Sequence, residues 1–214
     1  MSLVQQYALL PEEIDRESLK MVQASLPKTL ALAPQEHYIL CRIVRAEGDP
    51  DIARAVRFSP GAVGKGLAAL KEGTDIATDV RMVEMGISKT LLRDNHLSTR
   101  CLIDTEEVSR RAQREGTTRS VAAIRELGPF LDRAVVAIGN APTALLALLD
   151  LIDEGKATPA LVIGMPVGFV ACAESKDELL KRSVPYITIL GRRGGSSTAA
   201  ATVNALLDLM KVEQ

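Results

Sequence analysis

The chain has little aromatic content: Trp is absent, and Phe and Tyr occur three times each among its 214 residues. Even so, 47% of the residues are hydrophobic, and a chain of this length can bury a large core without disulfides or metal ions. The core must therefore consist mainly of Ala, Val, Leu and Ile, whose small side chains suit helices that pack closely on a sheet.

Charge of either sign is not in excess, since 26 basic and 27 acidic residues give a formal net charge of −1 at pH 7. This balance argues against non-specific nucleic-acid binding, which needs a basic face. The opening MSLVQQYALLPEEID lacks the basic and apolar segments of a secretory signal, and the apolar runs AVVAIG and ALVIGMPVGFVACA are too short or too interrupted to cross a bilayer. We therefore predict a cytoplasmic protein with no nucleic-acid or membrane partner.

Cysteine and histidine are also scarce. Cys41, Cys101 and Cys172 are widely separated and form no C-x-x-C pair, which favours reduced thiols over disulfides or a zinc site. His37 and His96 have no partner at metal-ligand spacing, so we predict no metal site.

The first part of the chain has helical periodicity and helix-start signals. We predict helices from Pro11 to about Ser25, over residues 34–46, and from Pro60 to Gly73 with Ser59 as the N-cap. The segments DIATDV and STRCLID are predicted strands. The segments DTEEVSRRAQREG and TTRSVAAIRELGPFLD are predicted helices, the second broken near Gly128 and Pro129.

The second half contains three continuous apolar runs, AVVAIG, PALVIGMP and PYITIL. Each is followed by a helical segment: NAPTALLALLDLIDEG, SKDELLKRS and GRRGGSSTAAATVNALLDLMK, respectively. Strands that are apolar on both faces and alternate with helices indicate a parallel sheet covered on both sides. We predict an α/β fold: a single domain over residues 1–214 with a doubly wound, mostly parallel sheet, helices on both faces, and the N-terminal helices packed alongside.

Ligands of open parallel sheets bind beyond the carboxyl ends of the strands, and here three loops at that edge are rich in glycine. They span Gly139–Thr143, Gly164–Phe169 and Gly191–Ser197. Glycine allows close approach to a ligand, helix N-termini favour anions, and Arg192 with Arg193 can grip a carboxylate or phosphate. Any one loop is explained as a tight turn, but three at one edge favour a site for a ligand with several negative groups.

Other candidate positions are less specific. Thr78 and Asp79 end a predicted strand, where a ligand contact is common. The helix start GTTRSVAAI is explained equally well by a cap with a solvated Arg119 and by an anion site. Neither a G-x-G-x-x-G motif after the first strand nor a G-x-x-x-x-G-K-[ST] motif occurs, so a dinucleotide or nucleoside triphosphate ligand is unsupported.

The ordered segments RFSPGAV, TDVRMV, RCLID, TRSVAAI, AIGNAPTALLALL, ALVIGMPVGFV, AESKDELL, VPYIT and GRRGGSS closely resemble the precorrin-8X methylmutase family, from about Tyr7 to Leu207. The resemblance implies an α/β homodimer with its site near the subunit interface. It implies an isomerase that uses no cofactor and moves a methyl group from C-11 to C-12 of a carboxylate-rich corrinoid. The product is hydrogenobyrinic acid or its cobalt-containing counterpart.

The resemblance also implies a set of substrate-binding residues, among which Arg119 is expected to grip the substrate. The set, completed by the strand-end residues, is Ser18, Ser59, Thr78, Asp79, Arg119, Ser120, Asn140, Ala141, Pro142, Thr143, Gly164, Pro166, Val167, Gly168, Glu174, Ser175, Arg192, Arg193 and Gly194.

One position departs from the family pattern, in which Arg, two apolar residues, His and a small residue stand at a fixed distance before FSP. In the same register this chain has Arg42-Ile43-Val44-Arg45-Ala46, so Arg45 occupies the position of the His expected to protonate the macrocycle. Arginine holds its proton at neutral pH, although it still donates hydrogen bonds and stabilises negative charge. Three outcomes are open: an isomerase in which Glu47, Asp79 or a water supplies the proton, corrinoid binding without turnover, or action on a related tetrapyrrole.

The first hypothesis is therefore a precorrin-8X methylmutase-family enzyme, with Arg45 at the catalytic position. The second is a non-catalytic corrinoid-binding or carrier protein. A third, a generic phosphate-binding α/β enzyme, is disfavoured by the missing phosphate motifs.

Overall fold

The structure is a computed structural model that describes residues 10–27 and 29–212. Its strands are β1 Val56–Phe58, β2 Ile76–Thr78, β3 Thr99–Arg100, β4 Val135–Ile138, β5 Leu161–Gly164 and β6 Tyr186–Ile189. Its α-helices are α1 Pro11–Ser25, α2 Pro34–Glu47, α3 Ala62–Lys71, α4 Arg81–Gly86, α5 Lys89–Asp94, α6 Glu106–Glu115, α7 Arg119–Leu127, α8 Pro142–Asp153, α9 Cys172–Leu180 and α10 Ser196–Val212. Short 3₁₀ turns cover Pro50–Arg54 and Gly128–Phe130.

The six strands form one sheet in the order β1-β6-β5-β4-β2-β3, parallel except for the edge strand β1, which runs antiparallel to β6. Every residue of the central strands β4 and β5 is buried, as continuous Val, Ile and Leu runs predict. One face of the sheet packs against α2, α3 and α10, and the other against α7, α8 and α9. The predicted mostly parallel sheet with helices on both faces is confirmed.

Several local predictions were wrong. The helix predicted from Pro60 begins at Ala62 with Gly61 as its N-cap, because the Ser59 hydroxyl instead accepts a hydrogen bond from the Tyr186 N–H at 2.8 Å. Strand β1 and the short helices α4 and α5 were not predicted, and β3 covers only the first part of STRCLID. Helix α9 begins at Cys172, earlier than the predicted start at Ser175.

The N-terminal helices α1 and α2 carry the charged side chains Asp15, Arg45 and Glu47, and Glu47 contacts Arg193 in the loop after β6. Helix α2 begins with Pro34 and ends at Glu47, and the φ of 74° at the next residue, Gly48, is the left-handed conformation typical of a glycine C-cap. It packs along α10, and α1 packs on α2. Within the described residues, no helix is long and apolar enough to cross a membrane.

Candidate functional site

Asp79 organises the loop between β4 and α8 from the end of β2. Its Oδ1 accepts the Gly139 N–H at 3.0 Å, and its Oδ2 accepts the N–H groups of Asn140 and Ala141 at 2.9 and 3.0 Å. The carboxyl is fully buried; burial raises its pKa, and the three N–H donors act in the opposite direction. Asp79 therefore shapes the loop, and its oxygens are already occupied.

The N-termini of α7 and α8 lie side by side at this edge. Thr118 caps α7 by accepting the Val121 N–H at 3.2 Å, and its hydroxyl is 3.4 Å from the hydroxyl of Thr143 in the first turn of α8. Two adjacent helix N-termini concentrate partial positive charge, which favours a carboxylate. Arg119, the first residue of α7, is exposed beside them.

The loops after β5 and β6 are bonded to each other through the backbone. The Gly195 N–H donates to the Met165 carbonyl at 2.9 Å, and the Gly168 N–H donates to the Arg192 carbonyl at 3.3 Å. Gly194 has a φ of 137°, and a Cβ added there would lie 2.6 Å from the Met165 oxygen. Only glycine fits this close approach, so the two loops hold one geometry.

The two arginines of GRRGG differ in their surroundings. Arg193 Nη2 lies 2.8 Å from Asp49 Oδ2 and 3.2 Å from Glu47 Oε1. Glu47 is the last residue of α2, and Asp49 lies two residues beyond it. Arg192 is exposed, with its guanidinium carbon 5.4 Å from the centroid of the Phe169 ring. Arg193 therefore anchors the loop to α2, while Arg192 remains accessible to a ligand.

Arg45 lies in the last turn of α2 and faces α1. Its Nη1 contacts Asp15 Oδ1, and Arg42 Nη1 is 3.6 Å from the same oxygen. Ser18 follows Asp15 by three residues and so lies on the same side of α1. A groove of about 390 Å³ opens here between α1, α2, α10 and the end of α4, lined by Asp15, Arg42, Arg45, Ala46, Gly86, Ser197, Ala200, Ala201 and Asn204. Arg45 therefore borders an open, charged groove and is held by a carboxylate.

The structure brings most of the predicted site residues to one edge of the sheet, but in different environments. The exposed or half-buried members are Ser18, Arg45, Arg119, Ser120, Asn140, Pro142, Thr143, Val167, Gly168, Glu174, Arg192, Arg193 and Gly194. The buried members are Thr78, Asp79, Ala141, Gly164, Pro166 and Ser175. Buried members shape the loops: the Ser175 hydroxyl donates to the Cys172 carbonyl at 2.9 Å, and a Cβ on Gly164 would lie 2.7 Å from Leu179.

Ser59 is the member that the structure places elsewhere. It pairs with Tyr186, the first residue of β6, in both hydrogen-bonding directions. Because β1 is antiparallel, the end of β1 lies at the amino edge of the parallel strands, opposite the loops described above. Its hydroxyl closes the β1–β6 pairing.

Sequence reasoning missed three residues that shape the site. The spacing of the sequence could have indicated Asp15. Asp15 and Ser18 are three residues apart, as are Arg42 and Arg45, and this spacing places each pair on one face of its helix. Glu47 was considered only as a proton source, whereas it binds Arg193. Lys176 looks like a solvated charge in SKDELL, yet it is fully buried. Among residues 10–27 and 29–212, no group of three or more His, Cys, Asp or Glu side chains could hold a metal ion.

These features define a doubly wound α/β protein whose carboxyl-edge loops present helix N-termini and arginines. The sequence model of the precorrin-8X methylmutase family matches residues 13–209, nearly the whole chain. The chain belongs to the precorrin-8X methylmutase family.

Named relatives and a solved structure agree with this assignment. The precorrin-8X methylmutase of Pseudomonas aeruginosa is 42% identical over 198 residues, covering 91% of this chain and 94% of that protein. The cobalt-precorrin-8 methylmutase of Priestia megaterium is 38% identical over 196 residues, covering 92% of this chain and 87% of that protein. The crystal structure of the precorrin-8X methylmutase of Thermus thermophilus superposes with a TM-score of 0.87 at 38% identity, covering 94% of this chain and 97% of that one.

Proposed function

We propose that this chain is a methylmutase that moves a methyl group from C-11 to C-12 of precorrin-8X, or of its cobalt-containing counterpart. One carbon–carbon bond breaks and another forms within the same molecule, so no atom or electron is gained or lost. The protein therefore has to bind, orient and assist proton movement. The observation that carries the proposal is the family match over residues 13–209, with relatives named for this reaction aligned over nearly their whole length.

The substrate carries many carboxylates, and the carboxyl edge offers complementary groups. Arg119 is exposed there at the start of α7, next to the N-terminus of α8, and Arg192 is exposed on the loop after β6. In this proposal the two arginines grip carboxylate arms, and Ser120, Asn140 and Thr143 donate hydrogen bonds to the same arms. Val167, an exposed apolar residue of the β5–α9 loop, covers a face of the macrocycle.

Arg45 stands where the family is expected to have its catalytic His, and it cannot supply a proton at neutral pH. Of the alternative sources, Asp79 is buried with three N–H donors on its oxygens, and Glu47 is paired with Arg193. We propose that a water in the groove exchanges the proton, while Arg45 orients it and stabilises the charge that develops. This route is slower than transfer from a tuned His.

The proposal includes a cytoplasmic homodimer with the site near the subunit interface. Phe169 and Val170 support it, because these large apolar side chains are 82% and 86% exposed on a loop of the site. Sedimentation equilibrium should give twice the 23.0 kDa chain mass. A monomer at micromolar concentration would contradict the homodimer and leave the isomerase proposal to be decided by its own assay.

The decisive experiment mixes the protein with precorrin-8X and follows the visible spectrum for conversion to hydrogenobyrinic acid. Conversion that scales with protein concentration supports the isomerase. Saturable spectral change without conversion would instead favour the corrinoid-binding protein without catalysis. Absence of both binding and conversion, with either the cobalt-free or the cobalt-containing substrate, would overturn the proposed ligand class.

A further inference from the structure

We propose that Lys176 is a positioning residue for the corrinoid site: it fixes the loop at residues 191–195 and, through Arg193 and Glu47, the position of that loop relative to the end of α2. This inference rests on the proposed function, since the ligand used to test it is the corrinoid product. Lys176 itself touches no ligand, and its effect reaches the site through the loop that carries Arg192.

Burial of the Lys176 ammonium is the first reason. The residue has no exposed surface and is among the largest fully buried side chains described. Burying a charged group is costly unless it is well hydrogen-bonded, whereas an apolar side chain of the same length would fill the position without that cost. The contribution of this ammonium therefore lies in the acceptors that it holds.

Two carbonyls of the loop after β6 accept hydrogen bonds from Lys176. Its Nζ donates to the Gly191 carbonyl at 2.9 Å and to the Arg193 carbonyl at 2.6 Å, so it holds the backbone on both sides of Arg192. One turn earlier on α9, the Cys172 thiol donates to the Pro166 carbonyl at 3.2 Å. One buried helix face thus holds the two loops that form this part of the site.

Arg193 extends the same link outward. Its carbonyl is held by Lys176, while its guanidinium binds Glu47 and Asp49. Glu47 lies two residues beyond Arg45 at the end of α2. The link therefore runs from the interior of α9, through residues 191–193, to the turn of α2 that borders the groove.

The first measurement is made on the ligand-free protein. Amide hydrogen exchange at residues 191–197 should be faster in Lys176→Met and in Glu47→Gln than in the wild type. Lys176→Met releases one end of the link, and Glu47→Gln weakens the other end, where Asp49 still holds Arg193. The matched control is Lys181→Met, an exposed lysine that follows the same helix and whose ammonium contacts Glu178. It should leave exchange at residues 191–197 unchanged.

The second measurement is the dissociation constant of hydrogenobyrinic acid, determined by visible titration for Lys176→Met, Glu47→Gln and the double variant. Loss of a charged hydrogen bond in the link should weaken binding by about tenfold in Lys176→Met. The double variant should bind no more than about twofold more weakly than Lys176→Met, because both changes break the same link. A general loss of stability would not produce this non-additive pattern.

The outcomes separate the inference from the proposed function. Affinity of Lys176→Met equal to that of the Lys181→Met control, or losses that multiply in the double variant, would overturn the inference. A wild-type protein that does not bind the corrinoid would overturn the proposed function, while hydrogen exchange would still decide the link. If Lys176→Met does not fold, Lys176→Gln replaces it, and exchange that is unchanged in both Lys176→Gln and Glu47→Gln would reject the link.

Discussion

Arg45 contacts the carboxylate of Asp15, so the cation at the expected catalytic position is paired across two helices. The same carboxylate oxygen lies 3.6 Å from Arg42, whose guanidinium is also 3.8 Å from Asp208. Two arginines and two aspartates thus balance in charge at the end of α2. This arrangement differs from a titrating imidazole, because none of its cations loses a proton near neutral pH.

Replacing Arg45 with His should raise turnover of precorrin-8X by roughly 100-fold or more, since a His that both gives and accepts a proton contributes that much to such reactions. The Arg45→His protein should also acquire a pH dependence of kcat near neutrality. The measurement is the initial rate of the visible spectral change between about pH 5 and pH 9, a range that spans the titration of an imidazole. Arg54→His, an exposed change in the 3₁₀ turn after α2, is the control and should leave the rate unaltered. Equal rates for the wild type and the Arg45→His variant would refute the role given to this position.

Removing the partner of Arg45 tests the pairing itself. In Asp15→Asn the groove gains one unit of positive charge, so we expect hydrogenobyrinic acid to bind more tightly by roughly two- to fivefold, with a steeper decline as salt is added. Titrations at low and high salt measure both effects. Glu17→Gln on the same helix removes an exposed carboxylate paired with Lys20 and should leave the affinity close to that of wild type. Weaker binding in Asp15→Asn would mean that the carboxylate itself supports the ligand.

Arg119 gives a direct test of the carboxylate-binding edge. Truncation in Arg119→Ala removes an exposed charged donor beside two helix N-termini, and we expect the corrinoid to bind about 10-fold more weakly. The melting temperature should stay close to that of the wild type, because the side chain is exposed at the helix start. Arg110→Ala, on the exposed face of α6, is the control for loss of one positive charge. Unchanged affinity in Arg119→Ala would remove this residue from the site.

The sheet could be predicted from the sequence because β4, β5 and β6 are buried along nearly their whole length and consist almost entirely of apolar residues. Strand β1 could not be predicted, because it has only three residues, with Arg57 exposed in the middle, and this is too short for a strand pattern in the sequence. It forms by pairing with β6, which lies next to it only in the folded protein. The loops of the site were predictable from their glycines. The different roles of Arg192 and Arg193 were not, because the partners of Arg193 are about 145 residues away in the chain and meet it only in the folded protein.

Gly194 provides a prediction about the geometry of the loops alone. Its φ of 137°, and the 2.6 Å that would separate an added Cβ from the Met165 oxygen, leave no room for a side chain. We expect Gly194→Ala to lower the free energy of unfolding by about 1–3 kcal/mol and to weaken corrinoid binding, because the β5–α9 and β6–α10 loops must separate. Chemical denaturation and titration measure the two effects.

The matched control for this change is Gly64→Ala inside α3, where an added methyl group meets no atom within 4 Å. There alanine should stabilise the protein by about 0.5–1 kcal/mol, because it restricts the unfolded chain and favours the helix. Opposite signs for the two substitutions would attribute the loss at Gly194 to its conformation and its contact with Met165. If Gly194→Ala were as stable as the wild type, the loops would be free to move apart, and the close approach would not be a requirement of the site.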